Sequence, residues 1–269
     1  MSLRDRAVLL AATLLLSASV VPAHADGPAP AVSDVNGKIS SEGGVTGFGG
    51  DSSGVGVVKG SLTSPFGHAF GFQLDGMAGT AFNAGFGGGT AHLFWRDPAI
   101  GLFGPIASVE GGSGIRLGWY GAEAELYAGL LTFGAWGGYH EAVDNRFALS
   151  ASSGSYGGSL TIYPIPDLAL SLGATSEFSH VTGTGVLEFQ PDLFAHHNVS
   201  FYINGGVGED ASYSITTGVR FYLGPDKPLI RRHREDDPAL LANLESMEMW
   251  AQDTTAMAGY HSGATANLP

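Results

Sequence analysis

The sequence predicts an all-β protein, a transmembrane antiparallel up-and-down β-barrel of about twelve strands, with ten to fourteen as the range the pattern admits. Three observations predict it: short runs in which every second residue is apolar, an excess of glycine, and a scarcity of charge. Glycine supplies 42 of 269 residues and charged residues 14%, against averages of roughly 7% and about 25%. Strands with one face on lipid and the other on a lumen have this composition.

The alternation is clearest in four places. Phe70, Phe72 and Leu74 share one face, opposite Gly71, Gln73 and Asp75. Ala122, Ala124, Leu126 and Ala128 point outward, with Glu123, Glu125 and Tyr127 inward. Leu168, Leu170, Leu172 and Ala174 oppose Ala169, Ser171, Gly173 and Thr175. Tyr213, Ile215, Thr217, Val219, Phe221 and Leu223 oppose Ser214, Thr216, Gly218, Arg220 and Tyr222. Read the same way, the chain has candidate strands at 34–45, 55–64, 69–80, 86–95, 100–109, 116–128, 131–140, 147–163, 167–178, 184–191, 198–207 and 212–223. Clusters of Gly, Pro, Asp, Asn or Ser separate them. The fifth carries Pro105, which removes a ladder donor and belongs at an edge or bulge.

Before the strands, Met1 to Arg6 is basic, Ala7 to Val21 is apolar, and Pro22-Ala23-His24-Ala25 ends in small residues. This is the pattern of a secretory signal peptide over 1–25, cleaved after Ala25. The apolar run falls short of the roughly 20 residues a spanning helix needs, and no later segment reaches that length. The chain contains no cysteine, which excludes disulfides and thiolate metal sites. A net charge of −13 argues against a nucleic-acid partner, whose surfaces are neutralised by basic residues.

The barrel is expected over 26–224. At Pro225-Asp226-Lys227-Pro228 the strand pattern stops, and residues 225–269 form a polar tail. Within it, Arg231 to Arg234 stands beside Glu235-Asp236-Asp237, which reads as a locally paired surface segment or a partner contact. Pro238 starts a short helix with Leu240, Leu241, Leu244 and Met247 on one face. From Gln252 onward the composition is that of a disordered end.

With its alternating strands, its signal peptide and its Arg220-Phe221-Tyr222-Leu223-Gly224 end, the chain resembles porin-like outer-membrane β-barrel proteins of Gram-negative bacteria. The segment from Arg231 to Pro238 is similar to the tail of a small uncharacterised barrel family, which implies no activity. The resemblance implies an outer-membrane location, lipid and the barrel-assembly machinery as partners, and Val219, Phe221 and Leu223 as the strand that machinery reads. In that family the signal stands at the chain's end, whereas 45 residues follow Gly224 here (269 − 224). An even strand count returns both termini to one side, the periplasm. All connections read as short, so pore width is expected to depend on inward side chains rather than on an inserted loop.

Lys38, Lys59 and Arg220 are expected to point inward from the first, second and last strands, and Glu123 and Glu125 from the opposite wall. Opposed basic and acidic walls would impose a transverse field favouring small polar solutes; the alternative is that each charge is paired with a neighbour. Inward Phe94, Tyr127, Trp136, Tyr202 and Tyr222 are candidates to narrow the lumen. Trp95, Trp119, Tyr139 and Tyr163 lie near strand ends and read as interface girdle.

The expected function is passive diffusion of small polar solutes, with a non-conducting structural or interaction barrel as the alternative. A rim-site lipid hydrolase, using His140, Glu141 and Asp144 or Glu177, Ser179 and His180, is weaker, because adjacency in sequence does not bring a nucleophile to its base. A soluble β-sandwich fits the alternation but not the scarcity of inward aliphatics. His196-His197 cannot chelate from a regular strand; no enzyme activity, metal or cofactor is expected.

Overall fold

In the computed structural model the chain forms one closed antiparallel barrel of twelve strands. The structure describes residues 29–236 apart from 113, 147, 178–179, 193–197 and 210. The expected signal peptide, the helix expected from Pro238, the disordered end and His196-His197 therefore lie outside the described residues.

The strands are β1 (Asn36–Phe48), β2 (Asp51–Phe66), β3 (Phe70–Ala81), β4 (Ala84–Asp97), β5 (Gly101–Gly112), β6 (Ile115–Ala128), β7 (Leu131–Asp144), β8 (Leu149–Ile165), β9 (Leu168–Glu177), β10 (His180–Phe189), β11 (Val199–Gly208) and β12 (Tyr213–Leu223). Each pairs with its sequence neighbours, and β1 closes the barrel on β12 with Lys38 opposite Tyr222 and Ser40 opposite Arg220. Among the described residues one short helix, α1 (Leu229–Glu235), follows. No helix among the described residues is long and apolar enough to cross a membrane.

The alternation in sequence becomes an inside and an outside. Leu172 and Leu62 are 70% and 57% exposed on the outer surface, while Gln73 and Thr63 are 0% exposed inside. An apolar exterior around a polar interior inverts the soluble arrangement and excludes the sandwich. Closure leaves no unpaired edge among the described strands.

Several strands run further than the alternation shows. Residues 46–54 were expected as a loop, yet β1 and β2 extend until only Gly49 and Gly50 remain between them. Both have positive φ, 59° and 96°, the conformation a two-residue hairpin needs and glycine adopts without strain. Residues 180–183, also expected as a loop, begin β10, with Val181 paired to Ser176 and Thr182 to Thr175. The expected helix after Pro238 is preceded by α1, seven residues within what read as a charged surface segment.

One end of the barrel carries both the start of β1 and the end of β12, together with the β2–β3, β4–β5, β6–β7 and β8–β9 turns. This end is termed the terminal mouth and the other the far mouth.

Candidate functional site

The structure turns Lys38, Lys59, Arg220, Glu123 and Glu125 to the inside. Ser40 is the register partner of both Lys59 and Arg220, so these bases adjoin across the closure seam. The walls are not segregated by sign, however. Lys59 ion-pairs with Glu42 of neighbouring β1, and Arg220 reaches Glu188 on β10 at 2.6 Å while its guanidinium lies 4.7 Å above the Tyr202 ring. The expected transverse field gives way to pairing within the wall, because a charge withdrawn from water needs a partner nearby.

Glu123 belongs to a polar band across four strands. Its Oε1 is 2.7 Å from His92 Nδ1, and His92 Nε2 is 2.8 Å from Asp75 Oδ2. Gln73 donates to both Asp75 oxygens at 2.9 and 3.0 Å, and Thr63 donates to Gln73 at 2.9 Å. His92 on β4 reaches β6 across β5 because the inward residue opposite Glu123 is Gly104. A Cβ there would lie 2.0 Å from the Leu93 carbonyl oxygen, so β4 and β5 approach closely only with glycine at this point.

The terminal mouth is filled by the segments that flank the barrel. Leu229 of α1 is fully buried against Tyr163, Ala169 and Tyr222. Arg232, 1% exposed, places its guanidinium 4.6 Å from the Tyr222 ring and donates to Gln190 and Asn198. His233 Nδ1 is 2.9 Å from the Tyr163 hydroxyl, with Nε2 3.6 Å from Glu188. Arg234 crosses to the other wall: it donates to the carbonyls of Gly129 and Leu131 and to Thr132, and lies 5.1 and 5.6 Å from the Tyr127 and Tyr163 rings.

The N-terminal segment completes the closure. Val32 packs with Phe94, Leu102 and Tyr127, and Arg96 donates to the Ala31 carbonyl. Ser33 joins the two segments, its amide donating to the Glu235 carbonyl at 3.2 Å and its hydroxyl to Asp236 at 3.0 Å. Lys227 reaches Ser33, Glu235 and Asp236 at 2.6, 3.2 and 2.5 Å. The obstruction thus comes from the described segments on either side of the barrel, 31–33 and 227–236. Arg232 and Arg234 are not in a surface segment; only Arg231, ion-paired with Glu235 at 2.6 Å, matches that expectation.

The wall alone is acidic. Inward acids on the described strands include Glu42, Asp75, Glu110, Glu123, Glu125, Asp144, Glu177 and Glu188, against Lys38, Lys59, Arg96, Arg220 and the His92 imidazole shared by Asp75 and Glu123. Glu110, Asp144 and Glu177 lie within three residues of the far ends of β5, β7 and β9. Of these, Asp144 is engaged by Arg146 of the following turn at 2.8 Å. No group of three or more His, Cys, Asp or Glu side chains among the described residues could hold a metal ion.

Two girdle assignments are corrected. Trp95 and Tyr139 are 37% and 38% exposed on the outer surface, but Trp119 and Tyr163 are 3% and 1% exposed and face inward. Trp119 shares the odd-numbered face of β6 with Glu123 and Glu125, donates to Ser155 at 2.7 Å, and stacks near His140. Tyr163 shares its face with Thr161 and holds the helix. Val219, Phe221 and Leu223 point outward beside the β1–β12 seam. Phe94, Tyr127, Tyr202 and Tyr222 are buried inside, and inward Trp136 lies against Gly157. His140 is buried and Glu141 is on the opposite face of β7, which separates that pair of rim candidates. His180 sits 3.5 Å from Glu209 at the far rim.

No protein-family model and no curated protein matches the chain. Solved structures match in fold. A KdgM porin in complex with disordered oligogalacturonate aligns at a TM-score of 0.52 and 13% identity, over 68% of this chain and 98% of its own. An outer membrane channel from Pseudomonas putida F1 aligns at 0.53 and 13%, over 76% and 99%. A NanC porin aligns at 0.50 and 10%, over 68% and 98%. The barrel is porin-like in fold.

Proposed function

We propose that the chain is an outer-membrane channel for small polar solutes whose resting state is closed at the periplasmic mouth by α1 and the segment before β1. The observation that carries this reading is the way α1 is held. Arg232, His233 and Arg234 attach it to opposite walls through cation–π contacts and hydrogen bonds, while its apolar anchorage is limited to Leu229, with Ile230 partly buried beside it. A helix of seven residues has little stability of its own. It stays ordered through its contacts with the wall, and their loss frees the mouth.

The polar interior, the short turns and the porin-like fold support the channel assignment. The even strand count supports periplasmic termini. A second reading, a permanently closed structural barrel, is favoured by the buried Arg232 and by the bulk of Phe94, Trp136, Tyr202 and Tyr222 in the lumen. Liposome swelling separates the two. Wild-type protein is expected to admit small neutral sugars slowly, and an Arg232→Ala/Arg234→Ala variant to admit them at least tenfold faster. Equal and negligible swelling by both proteins would favour the structural barrel.

A further inference from the structure

The groups that grip α1 share a chemistry. Arg234 lies between the rings of Tyr127 and Tyr163, Arg232 lies on Tyr222, and His233 approaches Glu188. Carboxylates back these rings: the Tyr127 hydroxyl donates to Glu125 at 2.8 Å and the Tyr222 hydroxyl to Glu188 at 2.7 Å. Electron-rich ring faces backed by carboxylates form a receptor for a cation bearing N–H donors. Here the chain fills that receptor with its own guanidinium groups.

A second observation concerns the route to it. Lys38, Lys59, Arg96 and Arg220 lie between mid-barrel and the terminal mouth, whereas Glu110, Asp144 and Glu177 stand near the far mouth. Inward acids still outnumber inward bases when His92, held between Asp75 and Glu123, is counted with the bases, so the wall favours cations over anions. Glu110 is 6% exposed.

We propose that the terminal mouth is a binding site for organic cations, solutes carrying a guanidinium or ammonium group, and that such a solute competes with Arg232, His233 and Arg234 for the tyrosine–carboxylate groups and thereby displaces α1. The proposal rests on the reading of α1 as a removable closure. It makes the transported solute and the opening signal the same molecule. A neutral sugar lacks the charge to compete, and an anion entering from the far mouth meets the acids there first.

The test reads the helix directly. The chain has no cysteine, so Arg231→Cys, at a position 58% exposed on α1, accepts a single spin label. In full-length protein, millimolar agmatine is expected to convert an immobilised spectrum to a mobile one, while sodium glutamate or potassium chloride at equal ionic strength leaves it immobilised. Glu125→Gln weakens the site for Arg234 and agmatine alike, so it should loosen the label before agmatine is added and shrink the response to agmatine. In unlabelled wild type, agmatine should expose the bonds after Arg231 and Arg234 to trypsin.

A label and cleavage pattern indifferent to agmatine, or equally responsive to all three salts, would overturn the cation site. Bilayer recordings on the same protein keep the two ideas apart. A helix released by agmatine in a barrel that passes no current contradicts the channel reading and leaves the cation site standing. Current through a barrel whose helix ignores agmatine does the reverse.

Discussion

The guanidinium of Arg234 lies 5.1 Å from the ring centroid of Tyr127, joining the segment after the last strand to the far side of the barrel's terminal mouth. Arg234 also donates to two carbonyls and a hydroxyl at the β6–β7 turn. Hydrogen bonds made by charged groups contribute about 1.5–3 kcal/mol each. An Arg234→Ala substitution is expected to shift the docking equilibrium of α1 toward release by roughly tenfold to a hundredfold. Faster trypsin cleavage after Arg231, with an unchanged melting midpoint of the barrel, would report this.

Acidification acts on the same closure. Burial raises the Glu235 carboxyl's pKa, but Arg231 and Lys227 outweigh that effect and hold it below the ordinary value of 4.5. A carboxylate depressed in the docked state stabilises docking above its ordinary pKa, and the contribution is lost as pH falls through the lowered value. The helix is therefore expected to remain docked at neutral pH and to loosen as pH falls below the ordinary carboxylate range. The label on Arg231→Cys would disturb this ion pair, so trypsin-independent readout by hydrogen exchange of α1 is the suitable measurement. Glu235→Gln should weaken docking at pH 7 and flatten the acid step.

The polar band gives a stability prediction. His92 bridges Asp75 and Glu123 at 2.8 and 2.7 Å in a buried setting. His92→Leu leaves two carboxylates without their shared partner and should cost about 3–5 kcal/mol. Replacing all three residues, with Asp75→Leu and Glu123→Leu added, should recover part of the loss, since an apolar group leaves nothing unsatisfied. Urea unfolding in detergent, followed by loss of heat-modifiable gel migration, measures both.

A charge on the outer face tests the membrane orientation. Leu172 is 70% exposed on β9 and its neighbour Ser171 faces inward. Leu172→Lys is expected to cost about 2–4 kcal/mol if the site is near the bilayer midplane. Ser171→Lys, one residue away, should cost less because its ammonium enters a lumen with surplus carboxylates. Equal folding yields in lipid vesicles would contradict the assigned faces.

Strand existence and facing were legible because period-two alternation survives even where glycine is frequent. Parity also placed Lys38, Lys59, Glu123, Glu125 and Arg220 inside. The errors at Trp119 and Tyr163 came from giving strand-end aromatics a girdle role without applying that parity: Trp119 and Glu123 are both odd-numbered on one regular strand, so they share a face. Parity likewise marks Glu42, Asp75 and Glu188 as inward, and so makes the mixed walls readable. The closure was harder to see. An isolated Arg-Arg-His-Arg run beside acids reads as solvated, and only closure of the barrel brings Tyr127, Tyr163 and Tyr222 around it. No local pattern specifies contacts between residues that far apart in sequence.

The central claim is that α1 is a removable closure of a conducting barrel. Single-channel recording of full-length wild type beside Arg232→Ala/Arg234→Ala, in symmetrical potassium chloride, tests it most directly. Wild type is expected to show rare, brief openings and the variant sustained openings of the same unit conductance. Identical records from the two proteins, whether both silent or both open, would contradict it.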